Sequence, residues 1–412
     1  MTFTKNSQDL MSHFFNIFEK FTKNKTKNVQ RNTDEIFKYI YNEFLVSERV
    51  YNKTYKKFLK KEVKEIKNKS DIPYTDLLDG IYIDKIIKEK IFKESLYLLH
   101  FSLKLQGVDI NINLLLFNDD DFNNLKKYDT YINNIFILLK FLFFFTGKNK
   151  PSTLDYYLYL TDHKKVMPKK NDIISPINCN TGITYGCSKN GKVLIYRKEE
   201  WFKVLIHESF HLFCLDFNNL PIENIKRKMK NMINIKSDFL LFESYTENWT
   251  TIIHSIFCAI QMDKKDKSSG NFLLYLDFIL TYEKIFSLFQ CVKVLDHMGL
   301  KYKNLIGNSE LDKSLKNLYY KEKSNVFAYY IVKMVLLYNK EEFLLWCKKN
   351  NKDNILNFTK NEESLNIFFE FLKKKMMDNT LKKDIELIEK LYKKKKNKNL
   401  LKSLRMTITN IE

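Results

Sequence analysis

Between residues 192 and 213 the chain reads KVLIYRKEEWFKVLIHESFHLF. Ser188-Lys189-Asn190-Gly191 makes a turn into a strand, Lys192 to Arg197, and from near Lys198 the apolar residues recur three and four apart, the period of a helix. That helix carries His207-Glu208-Ser209-Phe210-His211. Residues four apart on a helix lie one above the other, so the two imidazoles can reach one ion while Glu208, on the next row, faces a water bound to it. Trp201, Val204, Leu205, Ile206, Phe210, Leu212 and Phe213 surround the pair, as a buried helix requires. Unpaired imidazoles are costly there, which favours a ligand role.

Upstream of this stretch, Phe101, Leu103 and Leu105 alternate with Ser102 and Lys104, Gln106-Gly107 turns the chain, and Val108, Ile110, Ile112 and Leu114 alternate with polar residues. That is the pattern of a β-hairpin. Asp119, Asp120 and Asp121 open a helix that runs to Gly147, and a third strand follows with Leu154, Tyr156, Leu158 and Leu160 on one face. Asn178 to Cys187 (NCNTGITYGC) is a short extended run. Before Tyr97 and after Phe217 the period is helical, apart from a basic tail at Lys393–Lys398. The expected fold class is therefore α+β and mostly helical, with a small mixed sheet beside the histidine helix. Its parts are an N-terminal helical region (1–97), an α+β lobe (98–216) and a large helical C-terminal lobe (217–412).

Composition narrows the classes. With 44% hydrophobic residues in 412, the chain is too apolar for disorder and too long for one compact core, and 9 Gly and 5 Pro exclude collagen and many-turned β folds. Seventy Lys plus Arg against 49 Asp plus Glu give a net charge of +21, which could grip nucleic acid. The lysines are spread along the chain without a nucleic-acid fold signature, and the Lys, Asn and Ile bias resembles translation of an AT-rich genome, so a solvated surface is the preferred reading. Six widely spaced cysteines with no C-x-x-C pair make poor material for a disulfide framework or a cysteine zinc finger. Met1 to Phe21 lacks the pattern of a secretory signal, so an intracellular, reducing setting is expected. Ile132 to Phe145 is too short to cross about 30 Å of hydrocarbon and is expected as a buried helix.

Zinc at a catalytic site needs a third protein ligand and an open fourth position. Cys214 shares a face with His211, but one straight helix cannot easily supply three corners of a tetrahedron. The better source is Glu243-Ser244-Tyr245-Thr246-Glu247, in a helix expected from Ser237 to Ile260, where both carboxylates point the same way. In the preferred assignment Glu243 binds metal and Glu247 accepts the outer N–H of a histidine, although the two roles are exchangeable.

HESFH followed after about thirty residues by E-x-x-x-E resembles the gluzincin class of zinc metallopeptidases. The resemblance covers roughly residues 98 to 260 and implies Zn2+ on His207, His211 and Glu243 with Glu208 as catalytic base, beside a zincin-like mixed sheet. Such lobes place an edge strand just before the last strand and the active-site helix, where Asn178 to Cys187 falls. The resemblance thus implies a polypeptide substrate added along Asn180, Thr181, Gly182, Ile183 and Thr184. The segments NTGIT and IYRKEEWFKVLIHESFH are also similar to uncharacterised proteins of large DNA viruses, which implies host cytoplasm or virion.

The expected activity is peptide hydrolysis by Glu208-assisted attack of a zinc-bound water, with the same carboxyl passing the proton to the leaving amine. A further donor would stabilise the oxyanion, and Tyr329 or Tyr330 in NVFAYYIVK is preferred over Tyr245 and His254. The competing expectations are a basic nucleic-acid-binding or structural protein and a zinc-binding scaffold without turnover.

Overall fold

A computed structural model describes residues 3–22, 27–147, 150–263 and 268–410. The chain divides into two compact units, Lys38–Lys164 with Asn180–Asn219, and Met1–Phe37 with Lys165–Cys179 and Leu220–Glu412. The α+β fold class is as expected, but neither unit is a continuous stretch. The segment 38–97 joins the sheet, and 165–179 joins the helical unit.

The first unit is built on six strands: β1 (Lys60–Glu65), β2 (Tyr97–Leu105), β3 (Val108–Leu116), β4 (Thr153–Thr161), β5 (Gly182–Thr184) and β6 (Asn190–Arg197). Their order is β1-β2-β3-β4-β6-β5. β2 and β3 form the expected hairpin, with Gln106 and Gly107 at φ 51° and 87°, the positive values a two-residue turn needs. β3, β4 and β6 run parallel, and β5 closes the edge antiparallel to β6. β1 replaces part of the helix expected before Tyr97. Its sequence, KKEVKE, is exposed at every position, so it has no apolar face to mark it as a strand.

One face of the sheet is covered by Ile72, Leu77, Leu78, Ile83, Ile87 and Ile91, which pack on Tyr157, Tyr159, Leu194 and Tyr196. Besides the helix Lys85–Glu94, which supplies Ile87 and Ile91, the same unit contains α1 (Leu125–Thr146) and α2 (Trp201–Leu212). They meet through Phe143 against Phe213 and Tyr131 against Trp201. Tyr156, one residue before the covered face, bonds Ser209 of α2 at 2.8 Å, while Ser209 donates to the Leu205 carbonyl. α1 is the one described helix long and apolar enough to cross a membrane. The single helix expected from Asp119 to Gly147 is broken at Asn124 into a short turn, Asp119–Asn123, and α1, and 61% of the apolar window of α1 is buried in the protein, the setting of a core helix.

The second unit is helical, with α3 (Leu241–Met262) mostly buried and α4 (Ser269–His297) buried from Ile279 to Leu295 except at Lys284. A helix apolar on all sides belongs to an interior. Its least regular part is also buried: Leu404 to Thr409 has no strand or helix, yet all six residues are inaccessible. Buried backbone needs partners, and here helix side chains supply them. Tyr330 donates to the Leu404 carbonyl at 2.7 Å, Gln290 to Arg405 at 2.5 Å and Lys333 to Met406 at 3.0 Å. Glu283 accepts the N–H groups of Ile408 and Thr409.

In the same unit Glu322 accepts from the Tyr320 hydroxyl at 3.0 Å and from the Phe327 N–H at 2.8 Å, capping the π-helical turn Phe327–Val332. Burial lifts its carboxyl from 4.5 to about 7, against hydrogen bonds that lower it. The fold therefore prefers the protonated acid. The stability this contributes is full below about pH 4.5 and lost as pH rises through about 7, a swing of roughly 3 kcal/mol at most. Glu322→Gln should remove that component, so thermal unfolding at pH 5 and pH 8 should differ less in the variant than in the wild type.

Candidate functional site

The local path into the site is strand, sharp turn, helix. β6 ends at Arg197, Glu200 takes the left-handed conformation (φ 62°), and α2 begins at Trp201. Every residue of α2 is buried. His207, Glu208 and His211 are respectively 6%, 7% and 7% exposed, so these polar groups sit inside the protein with only their edges accessible.

The two histidines face each other. His211 Nδ1 is held by the carboxylate of Asp216, which is wholly buried and also accepts the Asn218 N–H at 3.1 Å. With Nδ1–H donated to Asp216, Nε2 of His211 is left as a lone pair, and Nε2 of His207 faces it at 3.0 Å. Two imidazole nitrogens each about 2.0–2.1 Å from a tetrahedral zinc stand roughly 3.3 Å apart, so this pair is spaced as two ligands of one ion. Asp216 was not legible as a site residue, since sequence reasoning sought the histidine's partner at Glu247. Its signal is the acid five residues after His211 in HLFCLD.

The loop that presents Asp216 is a helix C-terminus of defined type. Leu215 N–H bonds the Phe210 carbonyl and Cys214 N–H bonds the His211 carbonyl, the paired bonds of a Schellman motif. Cys214 occupies the left-handed position, φ 54°, where glycine is usual. It is joined to Cys187 by a disulfide across 27 residues, whereas the cysteine spacing had suggested none.

β5 runs beside this helix. Tyr196 N–H donates to the Thr181 carbonyl, which makes 181 and 196 a hydrogen-bonded pair. By alternation Ile183 also faces β6, and the N–H and C=O groups of Gly182 and Thr184 face the open edge. Arg197 fixes the start of the strand by donating to the Asn180 carbonyl at 2.7 Å and the Lys164 carbonyl at 3.0 Å. Of the five residues expected to bind substrate, Asn180 and Thr181 thus turn their carbonyls inward, and Thr181 is 2% exposed. Gly182 passes close to Glu208. A Cβ there would lie 3.0 Å from Glu208 Cγ, 2.9 Å from Val204 Cγ1 and 2.8 Å from Ile195 Cδ1.

α3 carries the expected third ligand. Glu243 is half-buried in its first turn and accepts from the Tyr329 hydroxyl at 3.2 Å. Glu247 lies one turn on and is 1% exposed. Among the described residues one group could hold a metal: His207, His211 and Glu243 each offer a donor atom, and these atoms lie within 4.8 Å of one another. The tyrosines divide. Tyr329 is partly accessible beside Glu243, whereas Tyr330 is buried and spends its hydroxyl on Leu404. Tyr245 is buried too, donating to the Leu356 carbonyl.

No protein-family model, no curated protein and no solved structure matches this chain.

Gly182 generates a test of the packing between β5 and Glu208. Gly182→Ala should cost about 1–3 kcal/mol in urea unfolding, the usual range for an overpacked site, because Val204 and Glu208 must move. A change confined to the unfolding of the free chain, with no shift of Glu208 in a structure of the variant, would contradict the close approach.

Proposed function

We propose that the chain is a zinc-dependent metallopeptidase of the gluzincin kind. The observation that carries this reading is the convergence of the His207 and His211 nitrogens with a carboxylate oxygen of Glu243, in a donor set of two imidazoles and one carboxylate that suits zinc. Asp216 supports it by fixing the His211 tautomer, as metal-binding histidines require. When bound, zinc would supply a Lewis acid that polarises a scissile carbonyl and acidifies water.

The remaining steps belong to the chain. Glu208, on the row beside the two histidines, takes a proton from water and returns it to the leaving amine. Its carboxylate is 7% exposed, which keeps it out of bulk solvent. The open edge at Gly182 and Thr184 holds an extended peptide backbone, and the missing side chain of Gly182 lets β5 itself lie against Glu208. The Tyr329 hydroxyl is the donor we assign to the oxyanion, leaving Glu243 as reaction proceeds.

Two measurements test the reading. Elemental analysis should find about one zinc per chain in the wild type, in Glu208→Gln and in Glu247→Ala, with loss in His211→Ala and Glu243→Ala. Hydrolysis of a quenched fluorescent peptide library should fall about 10²–10⁴-fold in Glu208→Gln, the range for removing a general base. A scaffold without turnover would keep its zinc and show no hydrolysis in the wild type; absence of metal from the wild type would sink the proposal outright.

A further inference from the structure

We infer that Cys187–Cys214 is a thiol–disulfide exchange site whose state sets how firmly His211 is held. As a statement about metal affinity it rests on the reading above, but the fastening itself does not. Both cysteines bear directly on the end of α2: their two backbone N–H groups donate to the same acceptor, the His211 carbonyl, each at 3.1 Å. Their Cα atoms are 4.9 Å apart, and the bond closes the loop that contains β6 and all of α2, with β5 ending three residues before it.

Around this bond the two loops are interlocked. Gly186 lies against the Asn218 side chain so closely that a Cβ would come within 2.1 Å of Asn218 Nδ2, and Asn218 N–H in turn binds Asp216. The path from the cross-link to the imidazole is therefore short: Cys214 is two residues from Asp216, and Asp216 bonds His211. Both cysteines hold left-handed backbone, φ 59° and 54°. A side chain in that region costs about 1–2 kcal/mol, so each loop has an incentive to relax once the bond is cut.

The pair is also the reactive one by exposure. Cys187 and Cys214 are half-buried, while Cys179, Cys258, Cys291 and Cys347 are at most 1% exposed. Burial pushes the Cys258, Cys291 and Cys347 thiols up, which keeps them inert. The partner is a dithiol reductant. Its thiolate attacks one sulfur of the pair to form a mixed disulfide and release the other as a thiol. Its second thiol then resolves the mixed disulfide, so the reductant leaves as a cyclic disulfide and the protein gains two electrons and two protons as two thiols. Freed of the bond, the Cys214 turn loosens Asp216, and His211 loses the partner that orients its ring. Losing such a partner typically lowers metal affinity 10- to 100-fold.

Three readouts test this on the full chain. Native alkylation with iodoacetamide should label nothing before a dithiol is added and Cys187 and Cys214 after it. In selectively 15N-histidine-labelled protein the His211 Nδ1–H proton should give a low-field signal that Asp216→Asn abolishes and that reduction, or Cys187→Ser with Cys214→Ser, weakens. Zinc titration against a chromogenic chelator should show at least a tenfold weaker Kd in the double-serine variant. Should that variant fail to fold, dithiol reduction of folded wild type gives the alkylation and NMR results directly. An unchanged Nδ1–H signal after reduction overturns the inference, as does labelling before reduction. Absence of zinc binding in every form would remove the metal reading while leaving the NMR result to decide the fastening.

Discussion

The dominant constraint is the burial of α2 along its whole length. A helix with no solvent face cannot carry two imidazoles and a carboxylate unless each has a partner, because a desolvated polar group without one costs about 1–3 kcal/mol and a charge costs more. For His211 the partner is Asp216, itself wholly buried. A buried carboxylate and a buried imidazole solve each other's problem, and the solution has a directional consequence. In the neutral ring with its proton on Nδ1, Nε2 is an acceptor, and it points at the matching nitrogen of His207. Two acceptors brought to 3.0 Å repel unless a proton or a cation lies between them. The same burial that stabilises the unit thus makes this spot receptive to a positive ion.

The helical unit meets the accounting requirement differently. The stretch from Leu404 to Thr409 forms no ladder, so its carbonyls and amides are satisfied one by one from Glu283, Gln290, Tyr330 and Lys333. Tyr330 belongs to the π-helical turn Phe327–Val332, whose adjacent Tyr329 reaches Glu243. Neighbouring tyrosines therefore face in different directions, one tied to the chain's own terminal segment and one to a carboxylate with metal-ligand chemistry. Widening the turn to π geometry redistributes the side chains around the axis, a device often found at functional positions.

What the sequence disclosed follows from where the physical information resides. The hairpin at 97–116 was legible because one buried face imposes a period of two, and the turn needed Gly107. The His207–His211 pair was legible because the helix fixes the geometry of residues four apart. β1 was hidden because a fully exposed edge strand leaves no apolar imprint. Asp216 and the Cys187–Cys214 bond were hidden for another reason: both depend on a Schellman turn and on β5 returning alongside α2, and neither arrangement is encoded in spacing alone. Burial of the terminal segment is likewise set by side chains more than 70 residues earlier in the chain.

The distribution of backbone strain makes the final link. Among the described residues seven non-glycine positions have left-handed φ, and Gln106, Asn171 and Asn234 are turn or cap residues of ordinary kind. Of the other four, Glu200 precedes α2, Cys214 ends it, Cys187 is bonded to Cys214, and Phe239 stands two residues before α3. Each conformation costs about 1–2 kcal/mol and persists only where surrounding contacts over-determine it. Strain scattered at random would not gather at the ends of the two helices that carry His207, His211 and Glu243. Its concentration there indicates that helix position, set by these turns, is what the fold maintains at the expense of local backbone comfort.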